Sequence, residues 1–212
     1  MVSDTQRTQA ETAAARIRTL ILNGTFQPGQ SLRQEALSEQ LSVSRTPLRH
    51  ALQSLSEEGL VETIGYKGAR VAELNRGMID DLFDMRLLLE PLALRSAFSQ
   101  ITKLDLARAE MALDAAEAEG EPSRLSELNW DFHRALYRPS NRQTLLRTIE
   151  QLNRASALSE VIAHSIVARP EKSAAEHRTL LQACRDGDEA SAIATLGEHL
   201  RLAHQDIQIR KE

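Results

Sequence analysis

Five of the six histidines lie beyond residue 130: His133, His164, His177, His199 and His204. Asn129 and His133 are four residues apart, so they share one helix face. Leu125, Phe132 and Leu136 share it too, which turns that face inward. His177 aligns with Leu180, Leu181 and Cys184, and His199 with Leu196, Leu200 and Ala203. A single histidine on an apolar face is more often a core residue bonded to a carbonyl than a ligand. Three of them, from three helices of one bundle, are costly to bury without partners, and one divalent cation would satisfy all three. Facing helices of a bundle are where such sites are built. The expected ligands are therefore Asn129, His133, His177 and His199. Imidazole suits zinc, nickel, copper or iron, with zinc or nickel preferred here, and the amide oxygen is a weak fourth ligand. Such a site keeps an open position. With no carboxylate ligand it keeps the cation's full charge and would attract a small organic acid. His164 and His204 fit no ligand position.

A second group of residues points to nucleic acid. In Leu37–Leu55 (LSEQLSVSRTPLRHALQSL), two short helices are joined by a tight turn plugged by Val43. Ser44 is expected to cap the second helix with its hydroxyl. Pro47 is tolerated because first-turn amides have no acceptor within the helix. Arg45, Thr46 and Arg49 then lie on the outer side of that helix's N-terminal end, the end that enters the major groove in a helix-turn-helix. Arginine can pair with guanine O6 and N7, and threonine can meet phosphate or a thymine methyl. Arg33 starts the preceding helix and can hold the DNA backbone or reach a base. Lys67 is expected at the tip of a hairpin, beside the minor groove or a phosphate.

The elements that must position these residues follow from periodicity and breakers. Ala13, Ile17, Leu20 and Ile21 recur at helical spacing and stop at Asn23-Gly24. Helices are expected over about 33–41 and 44–59. Two β-capable runs, 60–64 and 69–74, flank Gly65-Tyr66-Lys67-Gly68 and read as a hairpin. Beyond Asn75-Arg76-Gly77, six helical stretches are expected over approximately 78–98, 102–119, 122–138, 141–167, 171–186 and 188–208. Pro91 lies inside the first of them and should kink or bend it. The expected fold is mainly α: a winged helix-turn-helix over residues 1–74 and an all-helical bundle over 75–212.

Composition sets outer limits. The 212 residues are 42% hydrophobic and 26% charged, which excludes a disordered or collagen-like chain. The lone Cys184 cannot form an internal disulfide, and together with a polar N-terminus and no bilayer-length apolar run it suggests the cytoplasm. Residues 1–74 hold eight Lys/Arg and eight Asp/Glu, so the net charge of −4 comes entirely from the rest. Any DNA contact must be a local cluster. Only 3% of residues are aromatic, which disfavours base stacking on single strands.

The segment Ile17–Leu74, with NGTFQPGQSL, LSEQLSVSRTPLRHALQSLSEEGLV and GYKGARV, resembles the winged-helix domain of GntR-family bacterial transcriptional regulators. Residues 78–208, with RLLLEPLAL, NWDFHRAL, EHRTLLQACRDGD and ATLGEHL, resemble the effector domain of the FadR-type (FCD) branch. The resemblance implies operator binding by Arg33, Arg45, Thr46, Arg49 and the wing residues Lys67 and Gly68. In metal-containing members the ligands are an Asp or Asn, a His four later, and one His in each of two later helices. The matching positions are Asn129, His133, His177 and His199, and Asp is the commoner choice at the first. An arginine near Arg86 can face the effector in relatives, while a salt bridge to Glu90, four residues on, is the other reading. The implied protein is a homodimer on double-stranded operator DNA that responds to a small organic acid, and it is not an enzyme. A metal-dependent hydrolase built on the three histidines is the alternative. HExxH is absent, and Asp131 and Glu176 project away from the adjacent ligands, a poor start for a general base.

Overall fold

The computed structural model describes residues 4–64, 68–73, 75–162 and 170–209. The chain divides into two compact units, Met1–Leu74 and Asn75–Glu212.

In the first unit α1 (Asp4–Leu22) packs on α3 (Arg45–Glu57), with α2 (Gln34–Leu41) against α3. Ala13, Ile17 and Ile21 of α1 are fully buried, as their spacing requires, and meet the inner face of α3, where Leu48, Ala51, Leu52 and Leu55 are buried. Burying leucines of this kind stabilises by about 1.5–3 kcal/mol each. Arg18 of α1 donates twice to the Glu58 carboxylate, at 2.9 and 2.6 Å, and ties α1 to the end of α3. The turn from α2 to α3 passes through Ser42 in the left-handed region, φ 54°. The Val43 amide donates to Ser38 O at 3.1 Å, and the Ser38 hydroxyl donates to Val43 O at 2.5 Å. Ser44 occupies the cap position of α3 in extended backbone, but its hydroxyl accepts no helix amide. Its expected capping bond is therefore missing, and the turn is held by Ser38 instead.

The expected hairpin is one strand short of what forms. β1 (Ser31–Leu32), β2 (Val61–Thr63) and β3 (Ala69–Val71) make an antiparallel sheet in the order β1-β3-β2. Ser31 faces Arg70 on one side of β3, and Glu62 faces Arg70 on the other. Gly68 closes the wing by accepting the Ile64 amide at 2.9 Å. Its φ is +116°, and a Cβ there would lie 3.3 Å from Leu32 O, so the approach of β1 and the backbone angle both favour glycine. Lys67 lies outside the described residues.

The second unit comprises α4 (Arg76–Ala97), α5 (Lys103–Glu117), α6 (Pro122–Tyr137), α7 (Gln143–Ile162), α8 (Pro170–Asp186) and α9 (Glu189–Ile209). Asn75, expected in a break, is the N-cap of α4: its side-chain oxygen accepts the Met78 amide at 3.0 Å. The helix runs through Pro91 to Ala97. Thr102 and Asp105 form a reciprocal capping box at the start of α5. One core joins the elements, including Leu94 of α4, Leu113 of α5, Phe132 and Leu136 of α6, Ile149 of α7, Leu180 of α8 and Leu196 of α9. Residues 163–167 of the expected fourth stretch lie outside the described residues.

Candidate functional site

The amphipathic split of α3 decides which of its residues can reach a partner. Pro47 and Leu48 turn into the core, while Arg45, Thr46 and Arg49 are exposed near the N-terminal end of the helix. Arg33, the cap residue of α2, is exposed as well. Arg45 pairs with Glu35 at 2.8 Å, with side chains 72% and 83% exposed. A pair so open to water is worth little and yields readily to a competing phosphate or base. Gly68 shapes the wing by its backbone.

In the second unit α6, α8 and α9 each turn one histidine inward. His133, His177 and His199 are all buried, and one ring nitrogen from each lies within 4.8 Å of the others. His133 Nε2 and His177 Nε2 are 3.2 Å apart. Two nitrogens bound to a tetrahedral zinc at about 2.05 Å stand roughly 3.3 Å apart, so this pair already has ligand spacing. Asn129 lies one turn before His133 on α6 and is half-buried. Burial first, then the charges of His177, His199 and Arg86, holds His133 well below the usual histidine range. Burial and the neighbouring His199 do the same for His177. These two rings are therefore neutral near pH 7, the form that ligates metal. Burial pushes the Cys184 thiol up to about 12, which leaves it inert at neutral pH.

The imidazoles are not without partners, contrary to the cost argument made from sequence. His133 Nδ1 is 3.1 Å from the Tyr137 hydroxyl, which donates to Glu90 Oε2 at 2.8 Å. His199 Nδ1 is 2.8 Å from Glu176 Oε2. Arg86 donates to Glu90 Oε1 at 2.6 Å and to Asn153 Oδ1 at 3.1 Å, with Arg86 4% and Glu90 0% exposed. The salt-bridge reading of Arg86 is thus realised in this structure, and hydrogen bonds connect its guanidinium to His133 through Glu90 and Tyr137. Glu176, which seemed to project uselessly beside His177, contacts the histidine of a different helix. Tyr137 had a signal in the sequence, since it follows His133 by four residues on one face. Glu176 and Asn153 had none, because their partners come from distant helices. His204 bonds Asp80 at 2.8 Å and stacks on Phe83, with ring centroids 4.8 Å apart. His164 lies outside the described residues.

A winged helix joined to an all-helical second unit defines a two-domain DNA-binding regulator. Residues 9–71 match the family of bacterial regulatory proteins, gntR family, and residues 81–202 match the FCD domain. The chain belongs to the GntR family of transcriptional regulators, in the FadR-type branch that carries an FCD domain. It is 33% identical over 173 residues to the Glc operon transcriptional activator of Escherichia coli K12, covering 71% of this chain and 68% of that one. It is 25% identical over 180 residues to the HTH-type transcriptional regulator YdhC of Bacillus subtilis, covering 83% and 80%. The solved structure of Escherichia coli McbR/YncC superposes with a TM-score of 0.82 at 23% identity, covering both chains completely, which is a likeness of fold. The two matched domains and the Glc operon activator are those of transcriptional regulators rather than enzymes, which speaks against the hydrolase alternative. Among the described residues no helix is long and apolar enough to cross a membrane.

Proposed function

We propose that this regulator reads a two-fold operator with the α3 residues Arg45, Thr46 and Arg49, aided by Arg33 and the wing at Lys67 and Gly68, and that a divalent cation in the helical unit makes its DNA binding responsive to a small carboxylate. The observation that carries the regulatory half is the convergence of three buried imidazoles from three helices within 4.8 Å. The donor set fits zinc or nickel: His133 and His177 are neutral nitrogen donors with their Nε2 atoms 3.2 Å apart, His199 joins them within 4.8 Å, and Asn129 stands one turn away. A cation held by three imidazoles and an amide keeps its positive charge and an open position, and a carboxylate supplies what that position lacks. Arg86 is the second proposed effector contact. To serve, it must trade its bond to Glu90 for one to the incoming acid.

A two-fold operator requires two recognition helices about one DNA turn apart, hence a homodimer. The helical unit offers a surface for it. Met78, Met85, Leu88 and Leu92 are exposed on α4, with Leu88 73% exposed. In this reading residues 1–74 bind DNA, residues 75–212 bind effector and dimerise, and the protein works in the cytoplasm. An effector that favours one dimer conformation by ~1–3 kcal/mol is enough for control.

The test is fluorescence anisotropy on genomic operator fragments, with zinc-loaded and chelator-treated protein, across a panel of small organic acids. The reading expects an acid whose effect on DNA affinity disappears on chelation and in His133→Ala/His177→Ala. Elemental analysis should show metal in the wild type and little in that double variant. An effector response untouched by chelation would refute the metal's part in it.

A further inference from the structure

Behind the histidine cluster lies a chain of buried polar groups that runs from α6 to α4 and α7. Tyr137 and Glu90 are both completely buried, and their hydrogen bonds have to be directed. Arg86 donates to Glu90 Oε1, and Asn153 Nδ2 donates to the same oxygen at 3.4 Å. A guanidinium is always charged and only donates, so Glu90 serves as its carboxylate partner. A carboxylate cannot donate. The single phenolic proton of Tyr137 therefore goes to Glu90 Oε2, and the Tyr137 oxygen faces His133 Nδ1 as an acceptor. The imidazole must then supply the hydrogen at Nδ1. A neutral ring carries one N–H, so its lone pair is left on Nε2, the atom that lies 3.2 Å from His177 Nε2 inside the cluster.

We propose that Tyr137 and Glu90 are positioning residues that hold His133 as the Nδ1–H tautomer, with the Nε2 lone pair aimed at the cation site, and that Arg86 and Asn153 fix Glu90 for this purpose. The cation itself rests on the reading given under Proposed function; the direction of the hydrogen bonds does not. Glu176 reaches the His199 ring in the same manner, accepting from Nδ1 at 2.8 Å. Two of the three rings thus have an acceptor on Nδ1, as metal-binding histidines generally do on the nitrogen that does not ligate.

The test compares full-length wild type with Tyr137→Phe, which keeps the ring and deletes the hydroxyl that accepts from His133 and donates to Glu90. Long-range ¹H–¹⁵N spectra of metal-free protein, with His133 assigned by His133→Gln, read the tautomer. Competition against a chromophoric chelator reads zinc affinity. Wild type should show Nδ1–H at His133. Tyr137→Phe should shift the ring toward Nε2–H and weaken zinc binding roughly 10–100-fold. In Glu90→Gln the amide can donate to Tyr137, so the phenol can turn round and donate to His133, giving the opposite tautomer. Should that variant fail to fold, Tyr137→Phe still decides. Wild-type Nε2–H, or a Tyr137→Phe with unchanged tautomer and zinc affinity, would overturn the inference while leaving the metal site standing. A wild type that takes up no zinc would overturn the metal reading, and the metal-free spectra would still decide the relay.

Discussion

Glu90→Ala removes the carboxylate that accepts from the buried Arg86 guanidinium at 2.6 Å and from the Tyr137 hydroxyl at 2.8 Å. Arg86 is 4% exposed, so water cannot easily replace the lost partner. Breaking a buried pair by deleting one member costs about 3–5 kcal/mol, most of it for the charge left behind. Each kcal/mol moves the midpoint of a unit this size by roughly 3–5 °C, which makes the expected fall in Tm on the order of 10 °C or more. Arg86→Met/Glu90→Leu removes both charges and should recover most of that loss, because apolar replacement of a buried pair is often close to neutral. The protein has one tryptophan, Trp130, in α6 and packed on the second unit's core. Its fluorescence during unfolding therefore follows the helical unit alone. A loss under about 1 kcal/mol for Glu90→Ala would mean that Arg86 is solvated or partnered elsewhere. A double variant as unstable as the single one would mean that stranded charge is not the cause. A stable double variant also separates the two roles of Arg86. A retained organic-acid response would confine Arg86 to the ion pair; a lost response would place Arg86 at the effector only where the double variant still binds zinc as the wild type does, because Glu90 is removed as well.

The exposed arginines should behave in the opposite way. Arg45→Ala and Arg49→Ala should leave the unfolding midpoint unchanged and cost roughly 1–3 kcal/mol of operator affinity in anisotropy titrations, with relaxed base preference; unchanged binding would remove them from the recognition surface. The buried histidines make the metal-free protein acid-sensitive. Because His133 and His177 are held well below the ordinary histidine value, the unfolded chain binds more protons than the folded one once pH drops under about 6.5. Stability should be level from pH 8 to 7 and fall progressively below about 6.5, more steeply in wild type than in His177→Gln; parallel melting curves would show these rings to be solvated. Leu88→Glu on the exposed face of α4 should shift the protein from dimer to monomer in sedimentation velocity without unfolding it, and an unchanged dimer would exclude that face as the interface.

Much of the architecture was legible because it depends on local rules. The inward faces of α1 and α3 follow from apolar spacing, and Pro47 and Gly68 stand where only special backbone positions tolerate or favour them. The three histidines announced themselves by lying on apolar faces. What escaped reading was set by distant partners. β1 is two residues long, Ser31–Leu32, and exists only because β3 offers it an edge. Asn75 looked like a linker residue and caps α4. Ser44 looked like a cap, but the turn before it is fastened by Ser38. The polar chain behind the cluster joins residues from α4, α6 and α7, and only its i,i+4 pairs, Arg86–Glu90 and His133–Tyr137, left a trace in the spacing.

The account stands or falls on whether His133, His177 and His199 hold a metal ion. An anomalous-difference map, collected at metal absorption edges from crystals of protein purified without chelator, answers that directly. A peak bonded to all three imidazoles, with Asn129 beside it, is the predicted result. A map with no peak there, with His133 and His177 still bonded to each other, would contradict it.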